Sequence, residues 1–188
     1  MDQKSNKELF TISVLTENKS GLLNAITIIF TRRKMNIQSL NVSETEIEGV
    51  SRFTIVIKTC FAKAEQVVKQ IDKLVEVLGA FLYREDEVYY QEVALFKMGT
   101  AAFLNNNNIE RLVRNNGARI LVIEQDHIII EKTGHRPEIR ELREKLEPFG
   151  LLEYVRSGRV AITKSKRKTH EFLKELEKAN YIEQEINY

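Results

Sequence analysis

An α+β fold built from two successive βαββαβ units follows from three features of this sequence. Apolar residues alternate with period two in segments such as Phe10-Thr11-Ile12-Ser13-Val14-Leu15, which marks half-buried strands. Others recur at i, i+4, i+7 and i+8, as Leu22, Ile26, Ile29 and Phe30 do, which marks one face of a helix. The order strand, helix, strand, strand, helix, strand then occurs twice. That order is the split βαβ, or ferredoxin-like, arrangement: a four-stranded antiparallel sheet with both helices on one face. The halves repeat a pattern, with little identity between them.

In the first half, strand one covers about 9–16 and helix one about 21–34. Strand two, about 36–45, ends near the acidic stretch Glu44-Thr45-Glu46, and Gly49 turns the chain into strand three, about 50–60. Ala64 to Leu74 reads as a helix with Val67, Ile71, Leu74 and Leu78 on one face, and Val77 to Arg84 as strand four. The second half opens with a strand over 89–98, then a helix near Ile109–Asn116 behind the asparagine run Asn105 to Asn108, whose bland reading is a loop with an N-cap. Gly117 precedes the strand Arg119–Ile123, and Asp126-His127 turns into Ile128–Lys132. Pro137 suits the first turn of a helix that sends Ile139, Leu142 and Leu146 inward and stops at Pro148-Phe149-Gly150. Leu152–Val155 and Val160–Ile162 complete the strands. Three divisions result: 8–86, 89–163, and a tail over 164–188. The tail is the basic linker Lys164-Ser165-Lys166-Arg167-Lys168 followed by an amphipathic helix bearing Phe172, Leu173, Leu176 and Ala179. It reads as a helix docked on the body or frayed, or else as a partner-binding helix.

The 188 residues are 43% hydrophobic and 30% charged, enough for a real core under a charged surface. A net charge of +2 gives no electrostatic case for nucleic acid, and acidic residues crowd the turns after the basic linker. The single cysteine, Cys60, excludes an internal disulfide; placed with the apolar strand around Phe53–Ile57, it reads as a buried structural thiol. Met1 to Glu8 lacks the apolar core of a signal peptide, and no run approaches the roughly 20 apolar residues that span a bilayer. The expectation is a cytoplasmic protein with no membrane partner.

No catalytic or metal-binding constellation is visible. His127, His135 and His170 are isolated from one another and from Cys60, with no HExxH or CxxC, and GxSxG, GxxxxGK[ST] and GxGxxG are missing. The positive signal is for binding. Asn18-Lys19-Ser20-Gly21 is a tight strand-to-helix turn whose glycine opens a helix. The first backbone N–H groups of that helix lack internal partners and carry its positive end, so the turn suits a small carboxylate. Asn36 sits at the mouth of the next strand, after the basic run Arg32-Arg33-Lys34. The amides of Asn18 and Asn36 can meet both an ammonium and a carboxylate, and Leu22, Leu23 and Ile37 flank them. The complement is a free amino acid with a small aliphatic side chain. Burying an isopropyl group stabilises binding by roughly 1.5–3 kcal/mol. One methylene alters this by only about 1–3 kcal/mol, so valine, leucine and isoleucine stay open.

Four segments together carry a family resemblance. They are Phe10–Leu23; Phe30-x-Arg32-Arg33-x-x-Asn36-Ile37-x-Ser39-Leu40-x-Val42; Gln70–Val77 with Glu92-x-x-Leu95-x-Lys97; and Glu153-Tyr154-Val155-Arg156-Ser157-Gly158-Arg159-Val160-Ala161. From about residue 8 to 163 the chain resembles the small regulatory subunit of acetolactate (acetohydroxyacid) synthase. The resemblance implies an N-terminal ACT domain, a C-terminal ferredoxin-like domain and a homodimer. It places an effector, usually valine, between two ACT domains near Asn18, Ser20, Gly21, Leu22, Leu23, Asn36 and Ile37. It also implies that catalysis belongs to a separate large subunit carrying thiamine diphosphate, Mg²⁺ and FAD, which this chain activates and makes sensitive to feedback. Two departures stand out: the join over Arg84–Gln91 is short, and the extension past Lys164 is outside the common pattern. The competing reading is a stand-alone ACT-type amino-acid sensor or transcriptional regulator, which needs a DNA-reading element; no helix-turn-helix pattern is found. A ferredoxin-like RNA binder would carry an aromatic-rich motif on a central strand, where strand three offers only Phe53.

Overall fold

Alternation makes β1, Glu8–Glu17, the central strand of the first sheet. It pairs antiparallel with β3, Val50–Thr59, on one side and with β4, Val77–Arg84, on the other. β2, Ile37–Glu44, pairs with β3 at the edge, so the order is β2-β3-β1-β4. The computed structural model describes residues 7–104, 107–166, 171 and 174. The chain divides into two compact units, Met1–Tyr89 with Ala161–Tyr188, and Tyr90–Val160.

The period-two pattern puts Phe10, Ile12 and Val14 beside Phe53, Ile55 and Ile57 on one face. Helices α1, Leu22–Arg32, and α2, Phe61–Ile71, cover that face with Leu22, Ile26, Phe30, Ala64, Val67 and Ile71. Full burial of each large aliphatic or aromatic side chain contributes about 1.5–3 kcal/mol. The first-unit strands lie where the alternation predicts them. Two expectations in α2 need correction. The helix begins at Phe61 rather than near Ala64, anchored by the Phe61 ring against Phe10 at 6.1 Å and under the Arg84 guanidinium at 5.5 Å. It ends at Ile71 rather than Leu74, so neither Leu74 nor Leu78 lies on its face, and Leu78 belongs to β4. Cys60 likewise lies outside β3. It is the half-buried residue that precedes α2, in extended conformation.

The C-terminal end of α1 positions the mouth of β2. Lys34 takes φ +51, the left-handed region, while Lys34 N–H donates to Thr31 O at 3.0 Å and Met35 N–H to Phe30 O at 3.0 Å. Met35 packs on the core behind this cap. This is the Schellman arrangement with lysine where glycine is usual. Lys34→Gly should therefore raise stability by about 1 kcal/mol through relief of left-handed strain, read as a higher urea midpoint at unchanged slope. A lower midpoint would mean the lysine makes a compensating contact.

The second unit repeats the topology. β5, Val88–Gly99, lies between β7, His127–Gly134, and β8, Leu151–Arg156. β6, Arg119–Ile123, flanks β7, giving β6-β7-β5-β8, and β9, Val160–Thr163, also pairs with β5. Ala94, Phe96, Met98, Ile128 and Ile130 pack under α4, Asn107–Asn115, and α5, Arg136–Leu146. Pro137 stands in the first turn of α5, where Glu138 accepts the His135 N–H at 3.1 Å. Gly150, at φ +84, closes the 3-10 turn Glu147–Phe149 that ends it. A short helix not expected from periodicity, α3, Thr100–Leu104, continues directly from β5. Thr100 starts it by donating N–H to Asp126 O at 3.2 Å and its hydroxyl to Glu124 O at 2.8 Å. Asn107 and Asn108 open α4 instead of lying in a loop, while Asn105 and Asn106 lie outside the described residues.

Of the expected tail helix only Glu171 and Lys174 are described, both helical; Phe172, Leu173, Leu176, Ala179 and His170 lie outside the described residues. No helix among the described residues is long and apolar enough to cross a membrane.

Candidate functional site

β1 and α1 meet in the turn that the sequence singles out, and the turn is held by its neighbours' backbones. Glu17 N–H donates to Glu76 O at 3.0 Å and Asn18 N–H to Gly49 O at 2.8 Å. Gly49, itself at φ +78, ends the β2–β3 loop that Thr45 ties together, its hydroxyl donating to Ile47 O at 3.2 Å and Val50 O at 3.0 Å. Gly21 is the residue before α1 and takes φ +89, ψ −17, a conformation open to glycine and costly to side chains. Its carbonyl accepts Ala25 N–H at 3.0 Å, the first helical bond. The N–H groups before that bond receive no side-chain cap, and no acidic residue lies in the first turn. A Cβ placed on Gly21 would meet nothing within 4 Å, so space is open beside the helix tip. The tip therefore carries the partial positive charge of α1 with no acidic side chain in its first turn to neutralise it.

Around it the predicted residues fall into separate groups. Asn18 and Ser20 are exposed, and Asn18 Nδ2 donates to Glu44 Oε1 at 2.9 Å. That bond fixes the amide and leaves its oxygen as an acceptor beside a carboxylate, an arrangement suited to an ammonium group. Glu44 was not singled out as a site residue by sequence reasoning. Its signal was available only through the register: Glu17 opposite Val50 and Glu44 opposite Ser51 bring the two strand ends to one end of the sheet. Lys19 pairs with Glu17, whose hydrogen bond and negative charge hold the ammonium pKa above its ordinary value. Leu22 is buried in the core, whereas Leu23 is exposed. Asn36 is exposed, and Ile37 is half-buried against the core.

The structure does not bring Asn36 to the tip within one copy. Gly21 precedes the 11 residues of α1 and Asn36 follows them, a separation of about 16 Å along the helix axis. β2 repeats the message, since Asn36 precedes its first residue and Glu44 is its last. A ligand touching both groups requires the tip from one copy and the strand mouth from another.

The second unit holds a buried polar cluster around the Glu153–Ala161 segment. Arg156 Nη1 donates to the buried Glu92 Oε2, and Ser157 Oγ accepts Val93 N–H at 2.9 Å. Arg159, also buried, stacks its guanidinium over the Tyr90 ring at 3.5 Å, and His135 meets the same ring edge-on at 4.4 Å. Its members lock β5 to the end of β8, a structural role. Among the described residues no group of three or more His, Cys, Asp or Glu side chains is placed to hold a metal ion.

Two family descriptions match this chain in tandem: an AHAS small subunit-like ACT domain over residues 12–79 and the small subunit of acetolactate synthase over 91–165. The acetolactate synthase small subunit of Mycolicibacterium smegmatis is 36% identical over 157 residues, which are 84% of this chain and 92% of that protein. The corresponding protein of Bacillus subtilis is 33% identical over 159 residues, covering 84% and 91%. Among solved structures, the acetolactate synthase small subunit from Thermotoga maritima superposes with a TM-score of 0.76 at 30% identity, covering 85% of this chain and 99% of that one.

Proposed function

This chain belongs to the acetolactate synthase small-subunit family, and from that premise we propose that it binds valine or a related branched-chain amino acid and makes a catalytic large subunit sensitive to it. The observation that carries the reading is the uncapped, glycine-opened tip of α1 with Asn18 and Glu44 beside it. The tip N–H groups receive the ligand carboxylate, and the Asn18 oxygen with the Glu44 carboxylate receives the ammonium. Exposed Leu23 offers the aliphatic contact.

The opposed ends of α1 support a site shared by two copies, with Asn36 and Ile37 supplied across the seam. β2, at the edge of its sheet, has an unpaired side through which a homodimer can form. The chain has a regulatory role, so thiamine diphosphate, Mg²⁺ and FAD belong to the large subunit, and both proteins act in the cytoplasm. Inhibition is then a matter of linkage: the amino acid lowers the rate only by binding one arrangement of the holoenzyme better than another.

Reconstitution tests this directly. Purified chain added to its cognate large subunit should raise acetolactate formation and confer valine inhibition that the large subunit alone lacks. An unchanged rate and unchanged valine response would remove the proposal.

A further inference from the structure

Charge is sorted along the β2 edge of the first sheet. From Asn18 to Ser43 the sequence carries no acidic residue, and then Glu44, Glu46 and Glu48 follow with no cation among them. β2 separates two runs of opposite sign. Arg32, Arg33 and Lys34 stand before its entry, while the glutamates stand at its exit and in the loop to β3. Met35 to Ser43, between them, has no charged side chain. Arg33 is engaged within the copy, its Nε donating to Gln70 Oε1 at 2.7 Å and its Nη1 to Gln66 Oε1 at 3.1 Å. Arg32, Lys34, Glu46 and Glu48 are exposed. The length of β2 holds the runs about 26 Å apart, well beyond the roughly 8–10 Å over which salt screens charge, so neither neutralises the other.

We propose that these runs form a charge code that selects a second copy of this chain and sets the register of its β2, with Arg32 and Lys34 of each copy facing Glu48 and Glu46 of the other. Two β2 edges laid parallel would put like charges together. Laid antiparallel about a two-fold axis, each basic run meets an acidic one, and the contact occurs twice per dimer. Pairing Arg32 with Glu48 and Lys34 with Glu46 centres the axis on Leu40. Facing positions then differ by an even number, so each face of one sheet continues as the same face of the other. The same register sets Asn36 opposite Glu44 of the second copy, and Glu44 accepts the Asn18 amide at 2.9 Å. Met35 to Ser43 also holds none of the charges or prolines that guard an edge strand against pairing. The inference rests on the two-copy site of the proposed function and says what aligns its halves. It makes the homodimer, and with it effector binding, sensitive to ionic strength.

Charge exchange tests it in the full-length chain, with neither amino acid nor large subunit present. Arg32→Glu with Lys34→Glu makes one variant, and Glu46→Lys with Glu48→Lys the other. In analytical ultracentrifugation each alone should dimerise at least about ten-fold more weakly than the natural chain, because like charges then meet at both contacts. Mixed in equal amounts, the two should form a heterodimer about as tightly as the natural chain, since both contacts again join opposite charges. Homodimers unaffected by either reversal overturn the proposal, and so does a mixture that dimerises no better than its parts. In those cases valine inhibition of the reconstituted holoenzyme would still uphold the proposed function, so the two fail separately. Should Arg32→Glu with Lys34→Glu fail to fold, Arg32→Gln with Lys34→Gln takes its place. Its dimer should lose most of the natural chain's salt dependence between about 50 and 500 mM NaCl, and an unchanged dependence overturns the code.

Discussion

Asn36→Asp should weaken valine binding to the assembled protein at least about ten-fold by calorimetry, with the fold intact. Asn36 is exposed and lies between α1 and β2, so the substitution removes no buried contact. In the proposed site a fixed negative charge would then stand beside the ligand carboxylate. Two unit charges about 4 Å apart repel by about 1 kcal/mol in bulk water and about 4 kcal/mol near a protein surface, and ten-fold lies between these limits. Unchanged or tighter binding would take Asn36 out of the site.

The opposed placement of Gly21 and Asn36 about α1 allows a stricter version of the same experiment. Asn18→Ala should weaken binding on its own account. Mixed with Asn36→Asp and allowed to exchange subunits, it should restore about a quarter of the tight sites. In a two-fold dimer each mixed pair joins one intact tip to one intact strand mouth, and half the pairs are mixed. A site formed within a single copy would give no recovery at all, which makes the readout decisive.

Legibility in the sequence followed the length over which a physical pattern repeats. β1, β3 and α1 were readable because alternation and helical spacing persist for ten or more residues in each. α3 was not, because five residues carry no period and its start is set by Thr100 bonding to residues 124 and 126, far along the chain. Leu78 was misplaced because a helical period was extended past the end of α2, through Asp72, whose carboxylate instead accepts the Ala80 N–H at 3.0 Å. The turn at Gly21 was legible because φ +89 needs glycine. Glu44 was not, because its link to Asn18 spans 26 positions and exists only once β2 and β3 are paired. Spacing on a line also made Asn18 and Asn36 look like neighbours, whereas a helix axis lies between them.

Arg156→Ala should cost the protein about 3–5 kcal/mol in urea unfolding, the largest stability loss expected from a single change on these grounds. Glu92 is 3% exposed, and Arg156 donates to its carboxylate from β8 across to β5. Removing the guanidinium strands a carboxylate in the interior, and the cost of that charge exceeds the worth of the pair itself. The control follows from the same physics. Glu92→Gln combined with Arg156→Met deletes both charges, keeps comparable volume, and should recover most of the loss, because neutral groups carry no comparable desolvation penalty. A loss below about 1 kcal/mol for Arg156→Ala would show that water or Arg159 satisfies Glu92 in its place.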